Sequence, residues 1–508
     1  MSSPHINAPF AEDPLRYHAR VLPIPTKREL AGRGAFVGRK FARRFAPVVA
    51  KQLRAARKGV LPPEVLARPM RLAFEDVGGT FIKFGQILAS SPGIFGEEIS
   101  NEFRSCLDTG PVVPFDQIRR VVEADLGRRL EEAFATFERT PIGQASIAVV
   151  HRATLHDGRQ VAVKVLRPGI DQLAATDLDL MEPLFEIISR QTGAQIAGAV
   201  FQQIDGFRLQ IGEEMDLRNE ARALHHFREL NERLKLDRVV VPEPFPELSG
   251  QNVLTMEFLD GVPIDDFGVI QELGIDPGPL IAQLIHGFFI MTVKYRMFHG
   301  DIHAGNLLLL RDGRIGVIDW GIVGRLDSET HWFLCRMLGG VLGDEQAWVD
   351  VTNHIVSTYG PAIGEAMGMD EEQLTAFFRS MIEPVLLQPF GEVSFAAMMN
   401  ATQVQVASAH GVEFQDHSLR SIFKRLRLQR RIHKMAVDGG GMMSDFDRGY
   451  FLLGKQLMYF ERYGKLFLAD QAILSDPAFV AMLLDEAGEL TPPVRKQASA
   501  KGLVNPEK

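Results

Sequence analysis

The stretch His299-Gly-Asp-Ile-His-Ala-Gly-Asn306 decides the fold of this chain. Within it, Asp301 precedes Asn306 by five positions. A second run, Val317-Ile-Asp-Trp-Gly321, follows shortly afterwards. Two short strand-like runs, separated by a turn at Arg311-Asp-Gly313, connect the two stretches. The pattern therefore predicts two acidic side chains and one amide placed around a strand–turn–strand unit.

These side chains match the needs of phosphoryl transfer from ATP. That reaction requires one carboxylate near the acceptor hydroxyl and further oxygen ligands that hold Mg²⁺ on the phosphates. We predict that Asp301 is catalytic and that Asn306 and Asp319 bind the metal, in the order that kinases use. The alternative for Asp301 is an aspartate that caps a helix or a turn. The joint spacing favours the catalytic role.

A cationic partner for the phosphates is predicted at Lys164. The run Val161-Ala-Val-Lys164 matches the Val-Ala-Ile-Lys pattern of the phosphate-binding strand. It belongs to a predicted hairpin, in which Ile147 to Leu155 and Gln160 to Leu166 form the strands. A lone lysine on a strand is normally solvated, but here it alternates with apolar neighbours. The pattern therefore favours a buried functional lysine.

This lysine needs an acidic partner on a helix. Glu213, Glu214, Asp216 and Glu220 lie together on one helical pattern. We predict that Glu220 pairs with Lys164, although acidic helices are often only solvated faces. Glu220 follows Lys164 by 56 positions (220 − 164), so extra helices are expected between them.

Two further segments are predicted to contact the nucleotide. The loop Pro141-Ile-Gly-Gln-Ala-Ser-Ile147 is expected to cover the phosphates, and only Gly143 in it takes positive φ freely. An ordinary tight turn is the alternative for this loop. Leu254-Thr-Met-Glu-Phe-Leu-Asp-Gly261 reads as a strand that runs into a connector. The contacts predicted from these two segments are Gly143, Gln144, Ala145 and Ser146 for the phosphates, Met256 for the pocket lining, and the backbone of Glu257, Phe258 and Leu259 for adenine.

Composition excludes several other classes of protein. The 508 residues are 46% hydrophobic and 24% charged, which is typical of a globular protein with more than one domain. The net charge of −8 argues against a nucleic-acid partner. The two cysteines, Cys106 and Cys335, are too isolated for a disulfide framework or a zinc site. We find no secretory signal and no transmembrane span, which predicts a cytoplasmic protein that is not secreted.

The stretch from Lys27 to Lys58 is strongly basic, with only Glu29 opposing the positive charges. Apolar residues such as Val37 and Phe41 recur in it at helical spacing. Such an amphipathic helix either lies peripherally on an anionic membrane or packs its apolar stripe against the protein itself. The sequence leaves both alternatives open.

Taken together, these residues make the chain resemble the UbiB/AarF (ADCK-like) atypical kinase family, within the protein-kinase-like superfamily. The most specific match is Lys83-Phe-Gly-Gln86, which looks like the family's Lys-x-Gly-Gln signature. Glu214-Met-Asp216 is similar to its Glu-x-Asp signature. The resemblance implies that Lys83 and Gln86 lie on a helical extension over the ATP site, where Glu214 and Asp216 act alongside the lysine. The resemblance to the family is close from Val65 to Asp327.

The resemblance also shows departures from the family pattern. Gly143 and Gln144 stand where the family usually has alanines, which leaves the choice between ATP and ADP open. Trp320 replaces the usual phenylalanine, and Ala304 replaces a common proline. No Ala-Pro-Glu motif follows Asp319, and helix is expected to resume within about ten residues. Such a short segment favours a small-molecule or lipid-related acceptor over a protein substrate.

The expected fold is α+β and bilobal, with a small β-containing N-lobe, a helical C-lobe and the N-terminal extension over the active site. The predicted domains are a basic segment (1–60), the helical extension (61–138), the N-lobe with a helical insert (139–260), the C-lobe (261–437), and C-terminal helices with a polar tail (438–508). The resemblance implies a kinase or ATPase that uses ATP and Mg²⁺, with a lipid or quinone-precursor ligand, in isoprenoid quinone or membrane-lipid metabolism. Two alternatives remain: a nucleotide-binding scaffold without turnover, and a small-molecule kinase of the aminoglycoside or choline type. The Lys-x-Gly-Gln and Glu-x-Asp signatures count against the small-molecule kinase.

Overall fold

The structure, a computed structural model, describes most of the chain. The described residues are 17–54, 63–89, 97–103, 105, 112–192, 206–359, 368–394, 398, 448–472, 474, 476–488 and 490. Cys106 and the polar tail predicted beyond residue 490 lie outside these ranges. The helices of the described residues are α1 (Lys27–Arg54), α2 (Pro63–Val77), α3 (Thr80–Ala89), α4 (Glu97–Phe103), α5 (Phe115–Leu126), α6 (Leu130–Ala133), α7 (Ile170–Thr192), α8 (206–214), α9 (Leu217–Arg233), α10 (Phe267–Leu273), α11 (Gly278–Tyr295), α12 (Ser328–Val341), α13 (Glu345–Tyr359), α14 (Glu371–Leu387), α15 (Arg448–Phe467) and α16 (Pro477–Ala487).

The strands of the described residues form three small sheets. They are β1 (Thr136–Phe137), β2 (Gly143–Gln144), β3 (Ala148–Thr154), β4 (Gln160–Leu166), β5 (Val239–Val240), β6 (Val253–Glu257), β7 (Gly261–Pro263), β8 (Met297–His299), β9 (Leu307–Leu310), β10 (Ile315–Val317) and β11 (Val323–Arg325). The chain divides into two units. The first unit spans Met1–Ile275 and Asp301–Val323, and the second spans Asp276–Gly300 and Gly324–Lys508. The α+β class predicted from the sequence is confirmed.

The predicted hairpin forms the centre of the first sheet. Strands β3 and β4 run antiparallel, with Thr154 opposite Gln160, and Gly158 in the turn between them has φ of +92°. Glycine adopts this conformation at little cost. The sheet order is β1-β3-β4-β6, with β2 also paired to β3. Helix α5 covers this sheet with Ile118 and Val122, which are almost fully buried.

A second sheet of the first unit carries the strand–turn–strand that follows Asn306. Strands β9 and β10 pair antiparallel around the predicted turn, where Gly313 has φ of +83°. The sheet order is β5-β10-β9-β7, and the β5–β10 pair is parallel. The short strands β5 and β7 pair with β10 and β9, so the hairpin is flanked on both sides.

The helical extension packs around a cluster of phenylalanine rings. The cluster joins α1, α2, α3, α4, α7 and α8, with neighbouring ring centroids 5.1–6.2 Å apart. Its members are Phe41, Phe74, Phe81, Phe84, Phe103, Phe185 and Phe207. Val37 and Phe41 of α1 are only 3% and 6% exposed. The apolar stripe of α1 therefore packs against the protein, which is the second of the two alternatives that the sequence left open.

The described part of the second unit is mainly helical. Trp332 and Phe333 of α12, Trp348 of α13 and Phe378 of α14 share one buried cluster. Helix α11 packs against α15 and α16, while β8 and β11 form a two-stranded sheet. Among the described residues, no single helix has both the length and the apolar character needed to cross a membrane; α10 and α11 meet that test only as a sharply bent pair.

One local prediction was wrong. The acidic run from Glu213 to Glu220 does not form one helix, because the chain breaks between α8 and α9 at Met215 and Asp216. The Asp216 carboxylate accepts a hydrogen bond of 3.2 Å from the Arg218 backbone N–H and so caps α9. Aspartate is a strong N-cap residue, and this capping competes with helix continuation.

Candidate active site

All the residues that the sequence assigned to the site lie in the first unit. At their centre is Lys164, whose position in the middle of β4 aligns it with Val150 of β3 and Leu254 of β6. The Lys164 Nζ donates to both carboxylate oxygens of Glu220, at 3.0 and 2.8 Å, and to Asp319 Oδ2 at 3.2 Å. Glu220 and Asp319, which follow Lys164 by 56 and 155 positions, thus share its ammonium group.

Burial differs among these three side chains. The side chains of Lys164 and Glu220 are 12% and 3% exposed, whereas that of Asp319 is 44% exposed. The Lys164–Glu220 pair is therefore a buried ion pair that stays formed in the folded protein. Removing one partner of such a pair is strongly destabilising. Asp319 is the member of the group that remains open to a ligand.

The charges of this group explain their pKa shifts. Burial raises the pKa of Asp319, but the ammonium groups of Lys164 and Lys83 outweigh it and hold that pKa well below its ordinary value. Burial lowers the pKa of Lys164, but Asp319 and Glu220 outweigh it and raise that pKa. Burial raises the pKa of Glu220, which Lys164 opposes and the negative charge of Asp319 reinforces. One ammonium between two carboxylates leaves an uncompensated negative charge, which a cation would neutralise.

Backbone and ring contacts fix the Asp319 turn. The Gly321 N–H donates to Asp319 Oδ1 at 3.0 Å, and the Trp320 N–H donates to Glu220 Oε1 at 3.3 Å. The Trp320 indole N–H donates to the Val317 carbonyl at 2.8 Å, and its ring lies 4.4 Å from that of Phe227. Phenylalanine could not make this indole bond, so the tryptophan adds a fixed contact where the family usually has phenylalanine.

The loop from Asp301 to Asn306 closes on itself. The Asp301 carbonyl accepts from the His303 N–H and from the Asn306 side-chain amide, both at 2.9 Å. The Asn306 carbonyl accepts from the Ile318 N–H at 3.1 Å, which ties the loop to the residue before Asp319. The side-chain nitrogen of Asn306 is thus used within the protein, and its oxygen is the atom that a metal ion would bind.

The two signature segments meet across the site. The Lys83 Nζ of α3 lies 3.3 Å from Glu214 Oε2, and both side chains are largely buried. Gln86, one turn further along α3, is half-buried. The Asp216 carboxylate accepts from the Arg218 guanidinium at 2.8 Å. Of the Glu-x-Asp pair, Glu214 therefore contacts the lysine and Asp216 shapes the turn.

The predicted phosphate loop is more ordered than the sequence suggested. Gly143 and Gln144 form β2, opposite Val150 and Val149 of β3. A tight turn follows, in which the Ala145 N–H donates to the Ala148 carbonyl at 2.9 Å. Ser146 in this turn is buried.

Arg167 braces this turn, and the sequence analysis missed it. Its Nε donates to the Ala145 carbonyl at 2.8 Å, and the side chain is buried. Arg167 stands directly after a predicted strand and belongs to none of the predicted site motifs. A charged residue at the end of a buried strand and before Pro168-Gly169 was the only signal available.

The predicted adenine segment follows β6. Met256 is 5% exposed and pairs with Ala162 of β4. The N–H groups of Glu257 and Phe258 donate to the carbonyls of Glu243 and Gln160, at 2.8 and 3.1 Å. Among the described residues, no backbone carbonyl accepts from the Leu259 N–H. The Leu259 side chain lies against Gly316, where a Cβ would come within 2.7 Å of it.

A strand-borne lysine paired to a helical glutamate, with an aspartate after a β-turn, defines the protein-kinase-like class. The ABC1 atypical kinase-like domain family matches residues 105–351 of the chain. An uncharacterised, chloroplastic aarF domain-containing protein kinase of Arabidopsis thaliana is 32% identical over 82% of this chain and 76% of its own. An uncharacterised protein of Mycobacterium tuberculosis is 32% identical, over 84% of this chain and 79% of its own.

The chain belongs to the ABC1 atypical kinase-like family. A protein of Cellvibrio japonicus described as "Probable protein kinase UbiB" is 31% identical over 67% of this chain and 61% of its own. Among solved structures, the complex of a Mycobacterium tuberculosis protein with erythromycin matches with a TM-score of 0.41 and 22% identity. That match covers 85% of this chain and 100% of the other.

Proposed function

We propose that this protein is an atypical kinase or ATPase that binds ATP with Mg²⁺ and acts on its γ-phosphate. The observation that carries the proposal is the Lys164 ammonium, held by Glu220 at 2.8 Å and by Asp319 at 3.2 Å. Kinase-like enzymes use such a lysine to hold the phosphates and such an aspartate to hold the metal. Asp301, on the loop closed by Asn306, is the proposed catalytic base.

The adenine and phosphate contacts follow from the same sheet. We assign the adenine to the segment after β6, where the Leu259 N–H is the donor offered to a ligand and Met256 lines the pocket. The phosphates would lie under the turn of Gly143, Gln144, Ala145 and Ser146. The Arg167 bond to Ala145 keeps this turn in place.

The donor set fits Mg²⁺. Asp319 offers a partly exposed carboxylate and Asn306 an amide oxygen, and Mg²⁺ prefers such oxygen ligands. Among the described residues, no cluster of three or more His, Cys, Asp and Glu is arranged to hold a metal. This agrees with Mg²⁺, which usually takes one or two protein ligands and fills its shell with water and phosphate oxygens. When bound, the ion would neutralise charge on the phosphates.

We expect ATP binding to depend on Mg²⁺. Removing the ion with EDTA should weaken ATP binding by at least about tenfold, because phosphate charge would then face Asp319 and Glu220 unscreened. Isothermal titration of the full chain with ATP, with and without Mg²⁺, measures this. Equal affinity in both conditions would contradict the proposed metal site. Undetectable ATP binding in either condition would contradict the function itself.

The acceptor that we propose is a small molecule or a lipid, in support of isoprenoid quinone or membrane-lipid metabolism. The support is the resemblance to UbiB-like proteins and the short stretch after Asp319, since α12 begins at Ser328. The Lys83–Glu214 pair also places the helical extension beside the site. The quinone and lipid content of a deletion strain decides this role, and an unchanged profile of both would count against it.

We further propose that the protein meets this acceptor at an anionic membrane. Val21 and Ile24 are each 92% exposed, just before α1. The basic residues Lys27, Arg28, Arg39 and Arg43 of α1 are exposed as well. Each basic residue near an anionic surface contributes about 1 kcal/mol, and burial of an exposed valine or isoleucine contributes about 1.5–3 kcal/mol. Membrane contact through Val21, Ile24 and these basic residues leaves Val37 and Phe41 buried inside the protein.

The expected result is co-sedimentation with vesicles that contain phosphatidylglycerol, but not with vesicles of phosphatidylcholine alone. Replacing both Val21 and Ile24 with serine should lower the bound fraction at least about tenfold, from the burial energies above. Val112→Ser is the matched control, because Val112 is 80% exposed and stands elsewhere in the chain. Equal binding to the two vesicle types, or equal losses in variant and control, would reject membrane contact.

A further inference from the structure

We propose that the N-terminal strap, residues 17–26, positions the glutamate that holds Lys164, and that Asn219 is the positioning residue through which it acts. The strap has no helix or strand of its own and leads directly into α1. It contacts α8 at Gly212 and α9 at Asn219, on either side of the break at Met215 and Asp216. This inference rests on the proposed nucleotide-binding function and adds to it a part of the chain that no catalytic motif contains.

The first contact of the strap is with Asn219. The His18 N–H donates to Asn219 Oδ1 at 3.0 Å, and Asn219 Nδ2 donates back to the His18 carbonyl at 2.8 Å. The Asn219 side-chain amide thus makes both a donor and an acceptor hydrogen bond with the backbone of His18, as a residue of a neighbouring β-strand would. Asn219 Nδ2 also donates to the Glu213 carbonyl at 2.8 Å, and Asn219 is only 1% exposed. Buried hydrogen bonds of this kind are costly to leave unmade.

The second contact is made by Arg20. Its backbone N–H donates to the Gly212 carbonyl of α8 at 2.8 Å. Its guanidinium donates to Asn252 Oδ1 at 2.8 Å and to Asp171 Oδ2 at 3.0 Å. Asn252 directly precedes β6 and Asp171 lies at the start of α7. The strap therefore connects α8 to two elements that flank the site.

Gly212 leaves the room that this contact needs. A Cβ at this position would come within 2.9 Å of the Arg20 carbonyl oxygen and 3.3 Å of the Ala19 Cβ. Gly206 in the same helix differs, because a Cβ there would meet no heavy atom of the described residues within 4 Å. Helical glycine is otherwise unfavourable, so close approach of the strap accounts for glycine at position 212.

The position of Asn219 links the strap to the chemistry. Glu220 is the next residue in the first turn of α9, and both its oxygens accept from Lys164. The guanidinium of Arg222 also bonds to Asn219, so the strap, α8 and α9 share one buried network. A functional pair needs its groups held to within about 0.5 Å, so even a small shift of this turn would disturb the Lys164–Glu220 pair. The strap thus fixes the Lys164–Glu220 geometry without touching the nucleotide.

The test compares Gly212→Ala with Gly206→Ala in the full chain. Gly212→Ala should weaken Mg²⁺-dependent ATP binding about tenfold, as expected for one buried hydrogen bond lost from the network. Gly206→Ala should bind ATP as the wild type does. Arg20→Met, with Arg28→Met as control, provides a second variant that leaves α8 and α9 unchanged. Isothermal titration measures the affinities.

A double-mutant cycle shows whether the strap positions Glu220 or only stabilises the fold. If the strap acts through Glu220, Gly212→Ala should cause no further loss of ATP affinity in a Glu220→Gln background. Additive losses would show that the strap only stabilises the fold. Normal ATP affinity of both Gly212→Ala and Arg20→Met would overturn the inference while the proposed function stands. Absence of ATP binding by the wild type would reject the proposed function, and the inference with it.

Discussion

Replacing Asp319 with asparagine is expected to weaken Mg²⁺-dependent ATP binding by about 100-fold or more. Loss of a partner that only orients a metal ligand costs about 10–100-fold in metal affinity, and Asp319 is the proposed ligand itself. Asparagine keeps an oxygen that can accept from the Gly321 N–H, so the turn should persist. The charge is lost, and Lys164 then faces Glu220 alone. Isothermal titration with ATP at fixed Mg²⁺ concentration gives the affinity.

The matched control is Asp312→Asn on the same hairpin. The Asp312 carboxylate lies on the surface, where Arg314 lowers its pKa through a hydrogen bond. Exposed ion pairs contribute about 0–1 kcal/mol, so this variant should bind ATP nearly normally. If Asp319→Asn binds Mg²⁺-ATP as tightly as the Asp312 variant, the role of Asp319 as metal ligand is wrong.

Features set by neighbouring residues were predictable from the sequence. The alternation of apolar residues around Lys164 predicted the β3–β4 hairpin, and its observed strands differ from the prediction by one residue or less at each end. Asp312-Gly313 likewise predicted the turn between β9 and β10. Gly158 and Gly313 both adopt the positive φ that such turns require. In each case the physical cause lies within about ten residues of chain, so a local pattern contains it.

It was harder to predict which of several nearby acidic residues pairs with Lys164. Glu213, Glu214, Asp216 and Glu220 all fit one helical period, and Glu220 was favoured among them. The structure places Glu220 against Lys164, but the break at Asp216 was not foreseen. Asp216 is compatible with helix by spacing, and it acts as a cap only because the chain turns there. The β2 strand escaped prediction for a similar reason, since two residues carry too little periodicity.

Contacts between distant segments that carry no motif could not be predicted. His18 and Asn219 are 201 positions apart, and Arg20 and Asn252 are 232 apart. Neither His18 nor Arg20 belongs to a motif, so their partners follow only from the folded arrangement. The same holds for Asp177, which accepts from Arg33 at 2.7 Å and joins α1 to α7. Motifs located the candidate site, whereas the parts that hold it in place became visible only in three dimensions.

Nucleotide binding alone does not separate an enzyme from a scaffold. Both would bind ATP through Lys164 and Asp319, so loss of binding in an Asp319 variant agrees with either. The two differ at Asp301, which lies outside the Lys164–Glu220–Asp319 group. A scaffold needs no proton acceptor at this position. An enzyme needs it to take a proton from the acceptor hydroxyl or from water.

Asp301→Asn is therefore expected to lower turnover by about 10²–10⁴-fold, the usual contribution of a general base, while ATP affinity stays within about twofold of the wild type. Asparagine keeps the backbone carbonyl that accepts from His303 and from Asn306, so the loop should stay closed. Release of phosphate or transfer of labelled phosphate measures turnover, and titration measures affinity. Asp260→Asn is the control, because Asp260 is exposed and pairs with Arg311 at the surface. If turnover is equal in the Asp301 and Asp260 variants, Asp301 is not the base.

If the wild type binds ATP but shows no turnover with any lipid or small-molecule acceptor or with water, the scaffold alternative replaces the enzyme. The geometry of Lys164, Glu220 and Asp319 would then serve ATP sensing.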